Sequence, residues 1–427
     1  MKNRLIKFSK KPFVRNVIIL ASGTAAAQII AMALSPIITR LYGPEAYGLM
    51  GTFMAIVSIV APIAALTYPI AIVLPKSDQD AKGIIRLSIL ITTSISIMSL
   101  IILILFNKQI ISIFNLKEIG SYLYLIPLVI IFSGLMQVAE QWLIRTKQFT
   151  INSRVTVLQS LIMNGSKVGI GFFYPVAAVL VVLSAFGNGL KAAMMIFFAK
   201  RSDYQENIQL KYKKIELKEL AKKHNDFPKY RAPETFLNAI SQGLPVLMLT
   251  AFFGPTSAGF YTIGRTVLNI PSTLIGNAVG NVFYPRINEA ANNKEDVTNL
   301  IKKGTLALAV VGILPFGLVI LFGPFLFSFV FGSDWIIAGN YARWIALWAY
   351  FGFINKPSVK SLPVLSAQRF HLIYTIILLI TRLSSLMIGY YIFSSDVIAI
   401  ALFGISGAAL NLLLIIITLK ISRQKMR

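Results

Sequence analysis

The sequence predicts an all-α integral membrane protein of about twelve transmembrane helices, arranged as two six-helix lobes. Three observations carry this. Apolar stretches of spanning length recur along the whole chain. The 41 Lys and Arg fall almost entirely between alternate stretches. A Gly-Pro landmark returns at a constant offset of 211 residues, from Gly43-Pro44 to Gly254-Pro255.

Composition bounds the class first. Of 427 residues, 56% are hydrophobic, and mean hydropathy is +0.72. A bilayer core about 30 Å thick needs roughly 20 helical residues per crossing. Twelve crossings then occupy roughly 250–270 residues and leave short loops and one long one. The chain has no cysteine, hence no disulfide or thiolate chemistry. His224 and His371 are too far apart in sequence for a metal-ligand spacing. The basic N-terminal segment Met1–Lys11 precedes an apolar run too long for a signal peptide, so that run is expected to be the first span.

The spans are expected at 14–39, 46–74, 83–106, 121–143, 152–173, 175–199, 234–253, 257–284, 303–323, 338–354, 371–393 and 397–419. The segment Pro324–Trp335 reads as a short amphipathic or re-entrant piece on the outer face. Prolines at 36, 62, 245, 271 and 315 are expected to kink their spans. With the first turn of each span counted with the segment it leaves, the segments outside the spans carry 33 basic residues on the side holding both termini and 2, Lys108 and Lys117, on the other; six more, Arg40 among them, lie within or at the ends of spans. That asymmetry is the positive-inside signature. It places both termini in the cytoplasm and explains the net charge of +25 as topology rather than nucleic-acid binding.

The halves divide at the one long loop. Residues 1–199 form the expected N-terminal lobe, 200–231 a basic cytoplasmic linker and 232–427 the C-terminal lobe. Gly43, Pro44 and Gly48 match Gly254, Pro255 and Gly259. Leu74-Pro75-Lys76 matches Tyr284-Pro285-Arg286 at offset 210. Six spans per half is even, so both halves enter the membrane the same way round. Their pseudo-two-fold axis is therefore expected along the membrane normal.

Charges within spans point to function. An ionisable group at mid-membrane costs about 2.5–3.5 kcal/mol on insertion scales, so it normally faces a cavity or a partner. The cations are Arg40, Lys167, Lys191, Arg265, Arg343 and Arg382; the acids are Glu140 and Glu234. Arg382 lies about eleven residues from either end of its span. Arg265 shares a helical face with Tyr261, Asn269, Ser272, Gly276 and Gly280. Arg265, Arg382, Lys167, Lys191 and Asn269 are the candidate substrate-binding residues, and Glu234 and Glu140 the candidates for gating or coupling. The bland readings stand beside these. Arg40 and Arg343 fit snorkelling at helix ends. Glu140 fits an ion pair with Arg145, and Glu234 a first-turn acid beside Arg231. Trp142, Trp335, Trp344 and Trp348 fit interface belts or sugar-stacking surfaces. The excess of cations disfavours a cationic drug and suits phosphate or pyrophosphate, which Arg binds by paired hydrogen bonds.

The chain also resembles a known family, the Wzx-type oligosaccharide flippases, the polysaccharide-biosynthesis branch of the MATE-like MOP exporter superfamily. The resemblance rests on Thr39-Arg40-Leu41-Tyr42-Gly43-Pro44-Glu45-Ala46-Tyr47-Gly48 and Ala71-Ile72-Val73-Leu74-Pro75-Lys76. It extends through Trp142-Leu143-Ile144-Arg145-Thr146-Lys147-Gln148-Phe149, Phe283-Tyr284-Pro285-Arg286-Ile287 and Phe331-Gly332-Ser333-Asp334-Trp335. It implies a two-lobed, alternating-access transporter in the bacterial inner membrane with a cationic central cavity. The implied substrate is an undecaprenyl-pyrophosphate-linked oligosaccharide for O-antigen, capsule or exopolysaccharide assembly. Membrane lipids, a polysaccharide polymerase and a chain-length regulator are the implied partners. No cofactor is implied beyond proton or sodium coupling. Family members often carry an acid after the Tyr that precedes the Ala-Ile-x-Leu-Pro run; here Tyr68 is followed by Pro69. The related lipid II flippases carry two further C-terminal spans, for which this chain supplies no residues.

Two other functions compete with flipping. A MATE-like exporter of drugs or other lipid-linked precursors shares the architecture. A membrane-embedded polymerase or ligase needs a sizeable outer loop with catalytic residues, which the sequence lacks. No nucleotide-binding loop is present either, so the chain is not expected to be an enzyme.

Overall fold

A computed structural model describes residues 12–114, 116–201, 217–293 and 295–425. Among these residues the regular structure is helical throughout, without strands. The helices run α1 (Pro12–Val60), α2 (Asp78–Phe114), α3 (Ile126–Arg145), α4 (Phe149–Gly171), α5 (Ala177–Lys200) and the short α6 (Leu217–Lys223). They continue with α7 (Ala232–Phe253), α8 (Pro255–Asn292), α9 (Val297–Phe331), α10 (Ile336–Ile354), the short α11 (Lys356–Ser361), α12 (Gln368–Tyr391) and α13 (Asp396–Lys425). Eight helical stretches among the described residues are long and apolar enough to cross a membrane. The chain is thus a multi-pass membrane protein.

Local chemistry sets the helix starts. Ser77 Oγ accepts from the Asp80 amide at 3.0 Å, and Asp78 and Asp80 sit in the positive first turn of α2. Asp296 accepts from the Asn299 amide at 2.9 Å and opens α9. Pro255 occupies the first turn of α8, where its missing amide costs nothing. Apolar side chains remain exposed along α2 (Ile97, Ile101, Ile104, Leu105) and α9 (Leu306, Val310, Leu314, Leu321), as lipid-facing helices require.

The chain divides into two compact units. Among the described residues, one holds the chain up to Tyr42 and Leu49–Leu247. The other holds Gly43–Gly48 and the chain from Met248 onward. In the first unit, Ala71, Ile72, Ala81, Ile84, Val138 and Leu220 form one core and Ala139, Leu143, Val155 and Met195 another. In the second, Ile287, Ala290, Val297, Ile301, Leu362, Leu365 and Leu414 pack together.

The Gly-Pro landmarks have a common geometry. Gly43 and Gly254 both take positive φ, 72° and 89°, which side-chain-bearing residues rarely adopt. Gly43 breaks α1, and Gly254 separates α7 from α8. The two blocks pack reciprocally within the second unit. A β-carbon on Gly48 would fall 1.8 Å from the Pro255 carbonyl oxygen, and one on Gly259 would fall 2.2 Å from that of Pro44. The offset-211 pairs thus meet each other's partner, as a local two-fold relation between the blocks requires.

Two expectations about the spans are corrected. The stretch 46–74 is not one helix: α1 ends at Val60, and 3₁₀ turns follow at Ala61–Ile63 and Tyr68–Val73. Leu66 and Thr67 between them take left-handed φ of 47° and 59°. Pro62 and Pro69 each remove an amide from the helical ladder here. Side chains of α3 satisfy carbonyls in this broken stretch. Gln137 Nε2 donates to the Ala61 carbonyl at 2.7 Å, and Arg145 donates to those of Ile72 (3.1 Å) and Pro75 (2.7 Å). Secondly, Pro324–Trp335 is not a separate re-entrant piece. Helix α9 runs through Pro324 to Phe331 with a break at Phe322, and a 3₁₀ turn covers Ser333–Trp335. Pro324 has no amide to offer the Ile320 carbonyl four residues back.

Candidate functional site

The deepest predicted cation is held by rings. Arg382 lies on α12, with its guanidinium carbon 4.8 Å from the Trp348 ring centroid (α10) and 5.5 Å from that of Phe403 (α13). Stacking of this kind holds a delocalised cation without neutralising it. Its Nε–H is buried and has no acceptor among the described residues. Small residues make the site possible. Gly407 leaves room for the Trp348 ring, where a β-carbon would sit 2.7 Å from Cδ1. Gly404 admits the Trp344 backbone one turn earlier.

Arg265 of α8, Tyr261 and Tyr374 lie within electrostatic range of Arg382. Arg265 is half-buried, and Asn269, one turn on, is exposed. Ser272 continues the stripe, and its carbonyl accepts from Lys356 Nζ. Lys356 also lies 5.9 Å from the Phe353 ring centroid. Gly276 and Gly280, the remaining stripe positions, lie outside the residues whose surroundings are described. Asn411 Oδ1 of α13 accepts from Nδ2 of Asn355, the residue between α10 and α11 (2.6 Å), and from the Tyr374 hydroxyl of α12 (3.2 Å).

The other predicted residues are placed elsewhere. Lys167 is on α4 in the first unit. Its ammonium meets a weak acceptor, Met50 Sδ, at 3.8 Å, while its carbonyl accepts from the Tyr42 hydroxyl at 2.8 Å. Lys191 is half-buried on α5 in the same unit. Arg40 is exposed near the C-terminal end of the first arm of α1, just before the break at Gly43. Arg343 is exposed too, but its Nε donates at 2.7 Å to the Ile320 carbonyl that Pro324 leaves free. Glu234 pairs with Arg231 at 2.8 Å, with side chains 67% and 56% exposed, a surface contact worth about 0–1 kcal/mol.

Two sequence expectations fail here. Glu140 does not pair with Arg145; five residues apart on a helix, they point about 140° apart. Arg145 instead pairs with Asp78 at 2.8 Å, and Glu140 accepts from Asn152 at 3.5 Å. Trp335 does not belong to an interface belt. It is 1% exposed and packs edge-on to Tyr47 and Phe260. Sequence reasoning missed Lys356, which reads as an ordinary loop cation, and Asn411, a single polar residue in an apolar run. It also missed the Arg145–Asp78 pair, although the isolated Arg near the end of α3 was a usable signal.

The comparisons with known proteins follow this geometry. No curated protein sequence matches the chain. The lipid II flippase MurJ, in an inward closed conformation, aligns with a TM-score of 0.72 at 15% identity, covering 94% of this chain and 87% of that one. An inward-facing multidrug resistance MATE transporter of the MOP superfamily aligns with a TM-score of 0.68 at 12% identity, covering 93% and 94%. A Vibrio cholerae MATE transporter aligns at 0.57 and 13% identity, covering 98% and 97%. At these identities the likeness gives the fold. A polysaccharide biosynthesis protein family matches residues 37–339, well over half of the chain. In keeping with the resemblance read from its motifs, the chain belongs to this polysaccharide biosynthesis protein family and has a MATE-like fold.

Proposed function

We propose that the chain is a flippase that turns an undecaprenyl-pyrophosphate-linked oligosaccharide from the cytoplasmic to the outer leaflet by alternating access. The observation that carries this is Arg382: a cation deep in an apolar helix, held by Trp348 and Phe403, with a buried donor left unused. Such a group is costly unless something anionic visits it. Arg265 within range supplies a second fork, and two guanidiniums match the charge of a pyrophosphate. Trp348 and its aromatic neighbours offer surfaces on which a sugar ring can rest. Family membership supports a role in polysaccharide assembly, and the fold is shared with a protein described as a lipid II flippase.

In this reading both termini and the 200–231 linker are cytoplasmic, the membrane is the bacterial inner membrane, and the two six-helix lobes rock about the substrate. Lys167, Lys191 and Asn269 line the path, Glu234 and Glu140 act in gating or coupling to a proton or sodium gradient, and Arg40 and Arg343 stay at the interfaces. A polymerase and a chain-length regulator take the product on the outer side. The test is surface glycan measured alongside protein level in the membrane, in cells carrying only variant protein. Arg382→Ala abolishes export at normal membrane level, and Arg382→Lys lowers it in part, since Lys keeps the charge and loses the planar fork. Full export by Arg382→Ala, Arg265→Ala and their double variant overturns the proposal.

A further inference from the structure

In the second unit, between α10 and α12, the short helix α11 hides one face and presents another. Asn355 at its start keeps helical φ and ψ of −82° and −8°, and the Val359 amide donates to the Asn355 carbonyl at 3.0 Å. At about 100° per residue, Pro357, Ser358, Ser361 and Leu362 fall on one side of this turn, and Lys356, Val359 and Lys360 on the other. Burial follows that division. The first four are buried, whereas Lys356 is half-buried and Lys360 is exposed. Two ammoniums therefore share one face a turn apart, a spacing at which like charges repel.

Lys356 lies against the polar stripe of α8. Its Nζ donates to the Ser272 carbonyl and sits 5.9 Å from the Phe353 ring centroid. Neither contact carries a negative charge. The acids around the end of α8 are engaged with a different cation: Glu289 and Glu295 pair with Arg286 at 3.7 and 2.5 Å. Arg265 lies seven residues along α8 from Ser272, about 10 Å, and Trp348 eight residues along α10 from Lys356, about 12 Å. Trp348 carries the Arg382 guanidinium, so Lys356 adds one further step to the run of cations that holds Arg382 and Arg265.

We propose that Lys356 and Lys360 form the docking site for the diphosphate of the lipid-linked substrate at the cytoplasmic end of the second unit, from which the diphosphate passes to Arg382 and Arg265. This rests on the flippase reading above and on its cytoplasmic placement of the segment after α10. Ammonium point charges suit a first, loosely oriented encounter, and the planar arginine forks suit the oriented state that follows.

The test is calorimetric titration of the purified full-length protein in detergent with two probes, farnesyl diphosphate and inorganic pyrophosphate. Lys356→Gln with Lys360→Gln should weaken both probes about tenfold, the lower end of what a hydrogen bond to a charged group contributes. Lys360→Glu, at an exposed position, sets a carboxylate beside Lys356 and should weaken both at least as much. Lys356→Arg keeps the charge and should bind like the parent. Unchanged affinity in the double variant and in Lys360→Glu, with binding lost in Arg382→Ala titrated alongside, overturns the docking site alone. Unchanged affinity in Arg382→Ala as well, or no binding by the parent, overturns the flippase reading with it. A loss confined to farnesyl diphosphate would put the lysines at the tail rather than at the phosphates and also overturns the assignment.

Discussion

Removing Arg145 tests how the broken second span is held. Its guanidinium makes two hydrogen bonds to Asp78 Oδ1, at 3.0 and 2.8 Å, and two to the carbonyls of Ile72 and Pro75. The paired side chains are only 10% and 18% exposed. Arg145→Ala removes both hydrogen bonds to the Asp78 carboxylate and takes a donor from each carbonyl. Breaking a buried pair from one side costs about 3–5 kcal/mol. The site lies at a helix boundary where water can replace part of the loss, so about 3 kcal/mol is expected. For a cooperative unit of roughly 200 residues this lowers Tm by about 6–12 °C. Asp78→Asn keeps an acceptor and should cost about 1–2 kcal/mol. The double variant should then be much less destabilised than the sum of the singles, because the same interactions are lost only once. The assay is thermal unfolding of the purified full chain in detergent. An Arg145→Ala protein melting within about 2 °C of the parent refutes the assignment of Arg145 as the clamp of this segment.

Two further outcomes follow from the packing and the charges. Gly48→Ala and Gly259→Ala each drive a methyl into a backbone carbonyl of the opposite Gly-Pro block, and each should cost about 1–3 kcal/mol, read as a lower Tm; unchanged stability of both would contradict the reciprocal contact. The hydrogen bond and charge of Arg286 hold the Glu295 carboxyl below the usual carboxylate range. A depressed folded pKa stabilises above the unfolded value of about 4.3 and loses that contribution as pH falls through the folded value. The parent should therefore lose more stability than Glu295→Gln between pH 6 and pH 3, and an equal loss in both would contradict the pairing.

The sequence made the helical class legible because lipid forces backbone polar groups to be satisfied within a helix, leaving long apolar runs as the record. The Gly-Pro blocks were legible for a related reason: positive φ at Gly43 and Gly254 and the close approach at Gly48 and Gly259 admit only glycine. The break after Val60 was hidden because 61–74 stays as apolar as a helix would be. Its stability comes from Gln137 and Arg145, side chains more than sixty residues away. Arg382 stood out by depth and Arg265 by depth and its polar stripe, and the two lie within one another's electrostatic range. Depth could not distinguish Arg343, whose donor goes to a carbonyl freed by Pro324, or reveal Lys356, whose partner is a backbone carbonyl. Helical spacing should have ruled out Glu140 with Arg145 at the outset.

The central claim is tested most directly by reconstituting the purified chain into proteoliposomes that carry a pyrophosphate-linked glycolipid, and measuring how fast the inner pool becomes accessible to an external glycosidase. Flipping proposed to run through Arg382 predicts rapid access with the parent protein, partial access with Arg382→Lys and none above empty liposomes with Arg382→Ala. Equal access with the parent and Arg382→Ala, or no access with the parent in liposomes that export a cationic drug, would contradict it.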